Sequence, residues 1–250
     1  MLSVIKQASI SLGVYKPARA LHRILNPSQR RNFREHRALL SQFINPGDLV
    51  FDIGANIGIR TEIMLSLGAR VIAFEPQPIC AREVRARGNN RLIVVEKAVG
   101  ATIGTAILHL KRNSVQATLL QDWQGGPDAG TLTVPLTTLD AEMKQLGKPL
   151  FCKIDVEGFE AEVMGGLTTP ISSLSFEYHC DEHGVAKVRD IFSRLSEIGH
   201  YDVNLIGQED NKWLLPSWIS ANDFISTFPA CASPYYWGDI FVRLTTGSRP

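Results

Sequence analysis

Long apolar runs are missing from this 250-residue chain. None approaches the roughly 20 residues that a membrane-spanning helix requires, so no transmembrane span is expected. The first residues do not read as a secretory leader. Lys6 and Lys16 bracket only a short, serine-containing stretch, with no A-x-A-like cleavage site. Cysteine is scarce. Cys80, Cys152, Cys180 and Cys231 stand far apart and form no C-x-x-C pair. That argues against zinc or a disulfide framework and for free thiols in a reducing, cytoplasmic setting. An excess of one charge is also absent, with 26 Lys and Arg against 25 Asp and Glu. A nucleic-acid partner is therefore not expected. No repeat or low-complexity tract appears, and 44% hydrophobic with 20% charged residues is an ordinary globular balance.

The near-neutral total hides a split. Residues 1–37 hold 8 basic side chains and 1 acidic one, a charge of +7; the remainder holds 18 and 24, a charge of −6. Apolar residues in the first 40 positions recur at helical spacing, interrupted at Pro17 and Pro27. Residues 1–44 are expected to be a basic helical extension, with a last helix over 28–43, and residues 45–250 the main domain. The extension either caps the acidic domain or leans on an anionic membrane or glycolipid as a peripheral contact.

From Asp48 the pattern alternates strand and helix. Strands are expected at 49–53, 70–74 and 92–97, with helices at 61–67 and 78–87 between them. Short connections of this kind build a parallel sheet with helices on both faces. Residues 105–110 and 131–136 are strand-like and read as an inserted hairpin or flap. The rhythm then resumes with strands at 150–154, 174–178 and 203–206. Trp237–Leu244 is expected to close the sheet as an antiparallel edge strand.

The sharpest motif is Asp52-Ile53-Gly54-Ala55-Asn56-Ile57-Gly58, after a hydrophobic strand and before a helix. Gly54 lets the chain turn close to a ligand, and Gly58 lets the helix pack on the strand. A dinucleotide fingerprint would have glycine where Asp52 stands. An acid there repels a pyrophosphate but suits a cation or an amine. Glu75 ends the second strand, 17 residues after Gly58, where a carboxylate can accept both ribose hydroxyls. The combination suits a nucleoside with a zwitterionic tail, and S-adenosylmethionine is the common ligand of that kind.

These stretches resemble the FkbM family of S-adenosylmethionine-dependent methyltransferases. The resemblance rests on VFDIGANIG at 50–58, VIAFEPQP at 71–78, KAVG at 97–100, TTLD at 137–140 and KIDVEGFEAEVMGG at 153–166. It covers residues 48 to 180 and fades on either side. It implies a Rossmann-like class I methyltransferase fold: a seven-stranded sheet, six strands parallel and the last antiparallel. It also implies S-adenosylmethionine as methyl donor and a hydroxyl oxygen as acceptor. By position, Asp52, Gly54, Asn56 and Gly58 would line the methionine side, Glu75 would hold the ribose and Ala98 would lie near the adenine. Many class I methyltransferases carry an aspartate at that third strand end; here Glu96 and Lys97 stand there.

Ligands of open α/β sheets bind beyond the carboxyl ends of the strands. Asp155 ends the fourth strand on the same face as Lys153, which places it beside the transferred methyl group. Glu160 enters the next helix, where an acid also complements the dipole. The following strand ends in Glu177-Tyr178-His179. Methyl transfer to an alcohol needs a group to take the hydroxyl proton, and Asp155, Glu177 and His179 are the candidates. The same carboxylates with Glu157 leave a divalent metal open, though not favoured. A flap bearing Lys111, Arg112, Asn113, Ser114, Gln116 and Trp123 suits a sugar or another hydroxylated small molecule. The expected activity is O-methylation of a sugar, glycan, glycolipid or polyketide-like acceptor. The rivals are an NAD-dependent oxidoreductase, which does not explain Asp52, and a non-catalytic methyltransferase-like binding module.

Overall fold

The computed structural model describes residues 26–87, 90–111, 117–120, 128–208 and 210–245. The expected helices before residue 26 lie outside these residues. So do five of the flap side chains: Arg112, Asn113, Ser114, Gln116 and Trp123.

The first helix, α1 (Pro27–Leu40), opens on Asn26, whose Oδ1 accepts from the Ser28 and Gln29 N–H groups. Proline in the first turn costs nothing there, since that N–H would have no partner. His36, Leu39 and Leu40 face inward. Strand β1 (Leu49–Ile53) then enters the core, followed by α2 (Ile59–Ser66), β2 (Arg70–Phe74), α3 (Pro78–Arg85) and β3 (Leu92–Val95). Gly104–Lys111 (β5) and Asp128–Thr137 (β7) form the expected hairpin. With Ala98–Val99 (β4) and Ala117–Thr118 (β6) they make a separate four-stranded sheet. The main sheet resumes after α4 (Leu139–Leu146) with β8 (Phe151–Ile154), α5 (Glu160–Gly165), β9 (Ser173–His179), α6 (Glu182–Ile198) and β10 (Tyr201–Gly207). Ile219–Ser220 (β11), α7 (Ala221–Thr227) and β12 (Trp237–Leu244) complete it.

The main sheet has eight strands in the order β11-β10-β12-β9-β8-β1-β2-β3, one more than the expected seven. The addition is the two-residue β11, which pairs antiparallel with β10. Strand β12 is antiparallel as expected but does not lie at the edge. It inserts between β9 and β10 and pairs with both. A sequence pattern reports that a strand is buried, not which strands flank it. The third strand stops at Val95, and Ala98 belongs to the second sheet.

Alternation along β1 sends Phe51 and Ile53 to one face and Val50 and Asp52 to the other. Phe51, Ile53, Phe74, Ile154 and Phe176 pack under residues of α4, α5 and α6, including Leu139, Val163 and Phe192. Val50, Val71, Phe151 and Phe241 pack under Leu39 and Leu40 of α1 and Ile63 and Met64 of α2. Burying such a side chain contributes about 1.5–3 kcal/mol, so α1 is held by several such contributions. All four cysteines are free thiols, Cys80 and Cys152 fully buried.

Strand β1 is followed by neighbours on opposite sides, β2 on one and β8 on the other. That reversal opens a crevice at the carboxyl ends of β1, β2 and β8, where open α/β sheets bind ligands.

Candidate active site

The turn after β1 is built from its own backbone. The Gly54 and Ala55 N–H groups both donate to the Phe74 carbonyl at 3.0 Å. Gly54 has φ +78°, a region that favours glycine. Asn56 is also left-handed, at φ +52°, and its Oδ1 accepts from the Ile57 N–H at 2.7 Å. The Asn56 N–H in turn donates to Glu75 Oε2 at 2.7 Å, and the Gln77 N–H donates to Glu75 Oε1 at 2.8 Å. The Glu75 carboxylate is thereby clamped between the turns after β1 and β2. Burial pushes its pKa up to about 7, against the pull of the two N–H groups.

A cleft of about 640 Å³, counting its open mouth, lies over these turns. Gly54, Asn56, Glu75, Ala98 and Asp155 all line it. Leu108, Ala117, Thr118 and Leu119 of the second sheet form an opposite wall that no motif announced. The Thr118 hydroxyl donates to the Glu157 carbonyl at 2.9 Å, which ties that wall to the turn after β8.

Asp52 and Gly58 are not in the wall of the cleft. Asp52 is fully buried on the α2 side of the sheet, where the Thr61 hydroxyl donates to its Oδ2 at 2.6 Å. Gly58 has φ +75°, and a β-carbon there would lie 2.5 Å from Nε of Arg87. Its role in the geometry is to admit that guanidinium, which bonds Glu62 and the Ile57 carbonyl.

Lys153 links the two carboxylates of this region. Its Nζ lies 2.8 Å from Asp155 Oδ2 and 3.9 Å from Asp52 Oδ1, and it is 6% exposed. Burial works against its charge, but Asp155 and Asp52 outweigh that and hold its pKa above the ordinary value. Asp155 is held below its ordinary value; burial opposes this, and Lys153 prevails. Lys153→Met leaves two carboxylates without their cation. We expect a loss of roughly 3 kcal/mol in urea unfolding, at the low end for a broken buried pair because Asp155 reaches the open mouth. An unchanged midpoint would refute the linkage.

The turn from Asp155 to Glu160 is self-supporting. Glu160 Oε1 accepts from the Val156 N–H at 3.0 Å and the Gly158 N–H at 3.1 Å. Burial, reinforced by Glu177, pushes Glu160 up to about 7. Lys187 of α6 donates to the Gly158 carbonyl.

Beyond Asp155, His179 Nε2 lies 3.5 Å from Glu177 Oε2. The bond to Glu177 raises the His179 pKa, with burial opposing. The ring meets Tyr236 edge-on at 6.3 Å between centroids. Asp239 is directly opposite Glu177 across β9 and β12. Burial pushes Asp239 up to about 6, with Arg60 and Lys153 opposing and Asp155 and Glu177 adding to the shift. The sequence reading missed Asp239 because it placed β12 at the sheet edge. It also missed Arg60, a single arginine in the first turn of α2 that follows no pattern. Among the described residues, no group of three or more His, Cys, Asp or Glu is arranged to hold a metal ion.

Residues 52–199, more than half of the chain, match the profile of the methyltransferase FkbM domain. The chain belongs to the FkbM methyltransferase family. The FkbM match begins at Asp52 and ends at Gly199, so it takes in Gly54, Glu75, Asp155, Glu177 and His179. It leaves out α1 and β12, hence His36 and Asp239. The hexuronic acid methyltransferase AglP of Haloferax volcanii is 28% identical over 166 residues, 64% of this chain and 66% of that protein. The FkbM chain thus matches just under two thirds of that relative's length. Among solved structures, a TehB-like SAM-dependent methyltransferase from Corynebacterium glutamicum aligns at 10% identity and a TM-score of 0.47, covering 92% of this chain and 100% of that one. A SAM-dependent methyltransferase from Aquifex aeolicus aligns at 11% identity and a TM-score of 0.44, covering 90% and 97%.

Proposed function

We propose that this FkbM methyltransferase uses S-adenosylmethionine to methylate a hydroxyl oxygen of a sugar, glycan, glycolipid or polyketide-like small molecule. The observation that carries the reading is the clamped carboxylate of Glu75 in a cleft that Asp155 also lines. Each Glu75 oxygen spends one lone pair on a backbone N–H and keeps acceptor capacity for a ribose hydroxyl. Phe74, Val99, Leu108 and Leu119 offer an apolar surface for a flat base. Ala98 lines the same cleft, with Lys97 and Val99 on either side of it in the chain. The donor supplies a methyl group on a sulfonium centre, and Asp155, which also lines the cleft, carries the complementary charge.

The chemistry left to the protein is alignment and proton removal. His179 is assigned as the base that takes the acceptor proton on Nδ1, with Glu177 facing Nε2 and stabilising the resulting imidazolium. Asp155 is a weaker candidate because Lys153 already holds its charge. Sugar acceptors are supported by the relative named for hexuronic acid. Among the described residues no helix is long and apolar enough to cross a membrane. A cytoplasmic site of action, with the basic N-terminal stretch resting on an anionic membrane or glycolipid, belongs to the same proposal.

Calorimetry is the direct test. S-adenosylmethionine and S-adenosylhomocysteine should both bind one site, and NADH should not. Absence of binding by either would sink the proposal. NADH binding would favour an oxidoreductase. Donor binding with no methylation in any glycan or metabolite pool, followed by mass spectrometry with labelled donor, would favour a binding module.

A further inference from the structure

Thr118 is a hydroxyl in an apolar setting. It ends β6, whose Ala117 packs with Leu108, Leu110 and Val134 in the core of the second sheet. Thr118 is 1% exposed, at a place where valine would fill the same space without the cost of burying a polar group. Both capacities of the hydroxyl are used. It accepts from the Leu120 N–H at 3.1 Å and donates to the Glu157 carbonyl at 2.9 Å. The second bond leaves the second sheet and ends on the turn after β8. Thr118 and Leu119 line the cleft at one end of that bond, and Asp155, Val156 and Glu157 line it at the other.

Backbone preference alone would not keep the turn that this bond reaches. Glu157 has φ +56° and Gly158 φ +95°, and left-handed backbone costs energy for a residue with a β-carbon. The amides of the turn are held from within, since Glu160 Oε1 takes the Val156 and Gly158 N–H groups. Its carbonyls are held from outside, that of Gly158 by Lys187 of α6 and that of Glu157 by Thr118. We propose that Thr118 is a positioning residue of the donor site. Through the Glu157 carbonyl it fixes the turn that carries Asp155, and with it the width of the cleft. The second sheet then takes part in donor binding through a polar bond as well as through its apolar surface. This inference rests on the methyltransferase reading of the cleft.

The test uses the full chain, with each variant shown by circular dichroism to be folded. Thr118→Val keeps the shape and removes the hydroxyl. It should weaken S-adenosylhomocysteine binding in calorimetry by roughly tenfold, the scale of one buried hydrogen bond. Thr118→Ser keeps the donor and should stay within about threefold of the parent. Thr133→Val, at an exposed position on β7, is the control and should match the parent. Hydrogen exchange supplies a readout that needs no ligand. The Val156 and Gly158 amides should exchange at least about tenfold faster in Thr118→Val, with those of β1 unchanged. Should Thr118→Val not fold, Thr118→Ala carries the same expectations. Parental affinity in the variant without the hydroxyl would overturn the inference. So would a lowered urea midpoint with affinity and turn exchange intact, since Thr118 would then serve stability only. Weaker binding without faster turn exchange would overturn it too, because Thr118 would then act on the donor directly. Failure of the unaltered protein to bind S-adenosylhomocysteine is a separate result that removes the methyltransferase reading and the inference with it.

Discussion

Replacing Gly54 by alanine should destabilise the fold by at least about 3 kcal/mol and abolish binding of S-adenosylhomocysteine. The methyl group would sit 1.9 Å from the Asp155 carbonyl oxygen and 2.8 Å from its carbon. Neither atom can retreat freely. The Asp155 N–H donates to the Ile53 carbonyl at 3.0 Å, so withdrawing the turn after β8 breaks the end of the β1–β8 ladder. The positive φ adds about 1 kcal/mol for any residue with a β-carbon. A domain of ordinary stability has only about 5–15 kcal/mol to lose. The same movement separates Gly54 from Asp155, two residues that line the cleft. Urea unfolding and calorimetry measure both effects. Gly104→Ala is the control, because a β-carbon there meets nothing within 4 Å. A Gly54→Ala protein with parental midpoint and affinity would show that the close approach is not required.

Glu75→Ala should weaken S-adenosylhomocysteine binding by roughly a hundredfold, the equivalent of two charge-assisted hydrogen bonds at about 1.5 kcal/mol each. It also leaves the Asn56 and Gln77 N–H groups without their acceptor, so the turns that shape the cleft loosen. The pH dependence has a definite sign. The folded pKa of Glu75, about 7, is raised by burial above the ordinary 4.5. The folded state therefore holds the proton more tightly than the unfolded chain. That contribution to stability is fully present below pH 4.5 and is lost as pH rises through about 7. Glu160, about 7, and Asp239, about 6, act in the same direction. Asp155, held low, acts in the opposite one at acid pH. Ligand binding runs against the three raised acids, because the ionised Glu75 is the better acceptor for ribose hydroxyls. The rise in melting temperature caused by S-adenosylhomocysteine should be largest above pH 7 and shrink below it. In Glu75→Ala that pH dependence should vanish. A ligand-induced shift that is flat from about pH 5.5 to 8.5 in the unaltered protein would refute the assignment.

Several elements were legible because their signals are local. The strand at 49–53, the glycine turn and the helix after it follow from a hydrophobic run, two glycines and helical spacing. Glu75 and Asp155 were placed by their positions at strand ends, and both line the cleft. Asp52 was drawn to the same cleft by proximity in the motif; it is fully buried, takes the Thr61 hydroxyl on Oδ2 and is not among the residues lining the cleft. Asp239 escaped notice for a non-local reason. Its neighbour Glu177 is far away in sequence and meets it only because β12 inserts beside β9. The wall from Leu108 to Leu119 was invisible for the same reason, since a hairpin pattern does not state where the hairpin folds back.

The alternation of strand and helix patterns from residue 48 already pointed to an α/β chain, and all four cysteines are free thiols. Its two motifs, at 52–58 and 153–160, already carried the family. Those features depend on residues close in sequence, whose geometry backbone sterics and hydrophobic periodicity dictate. Tertiary structure decided which acids share a site. It buried Asp52 on Lys153 and set Asp239 against Glu177. Strand order and helix placement bring such groups together across long stretches of chain, and no local pattern encodes that pairing.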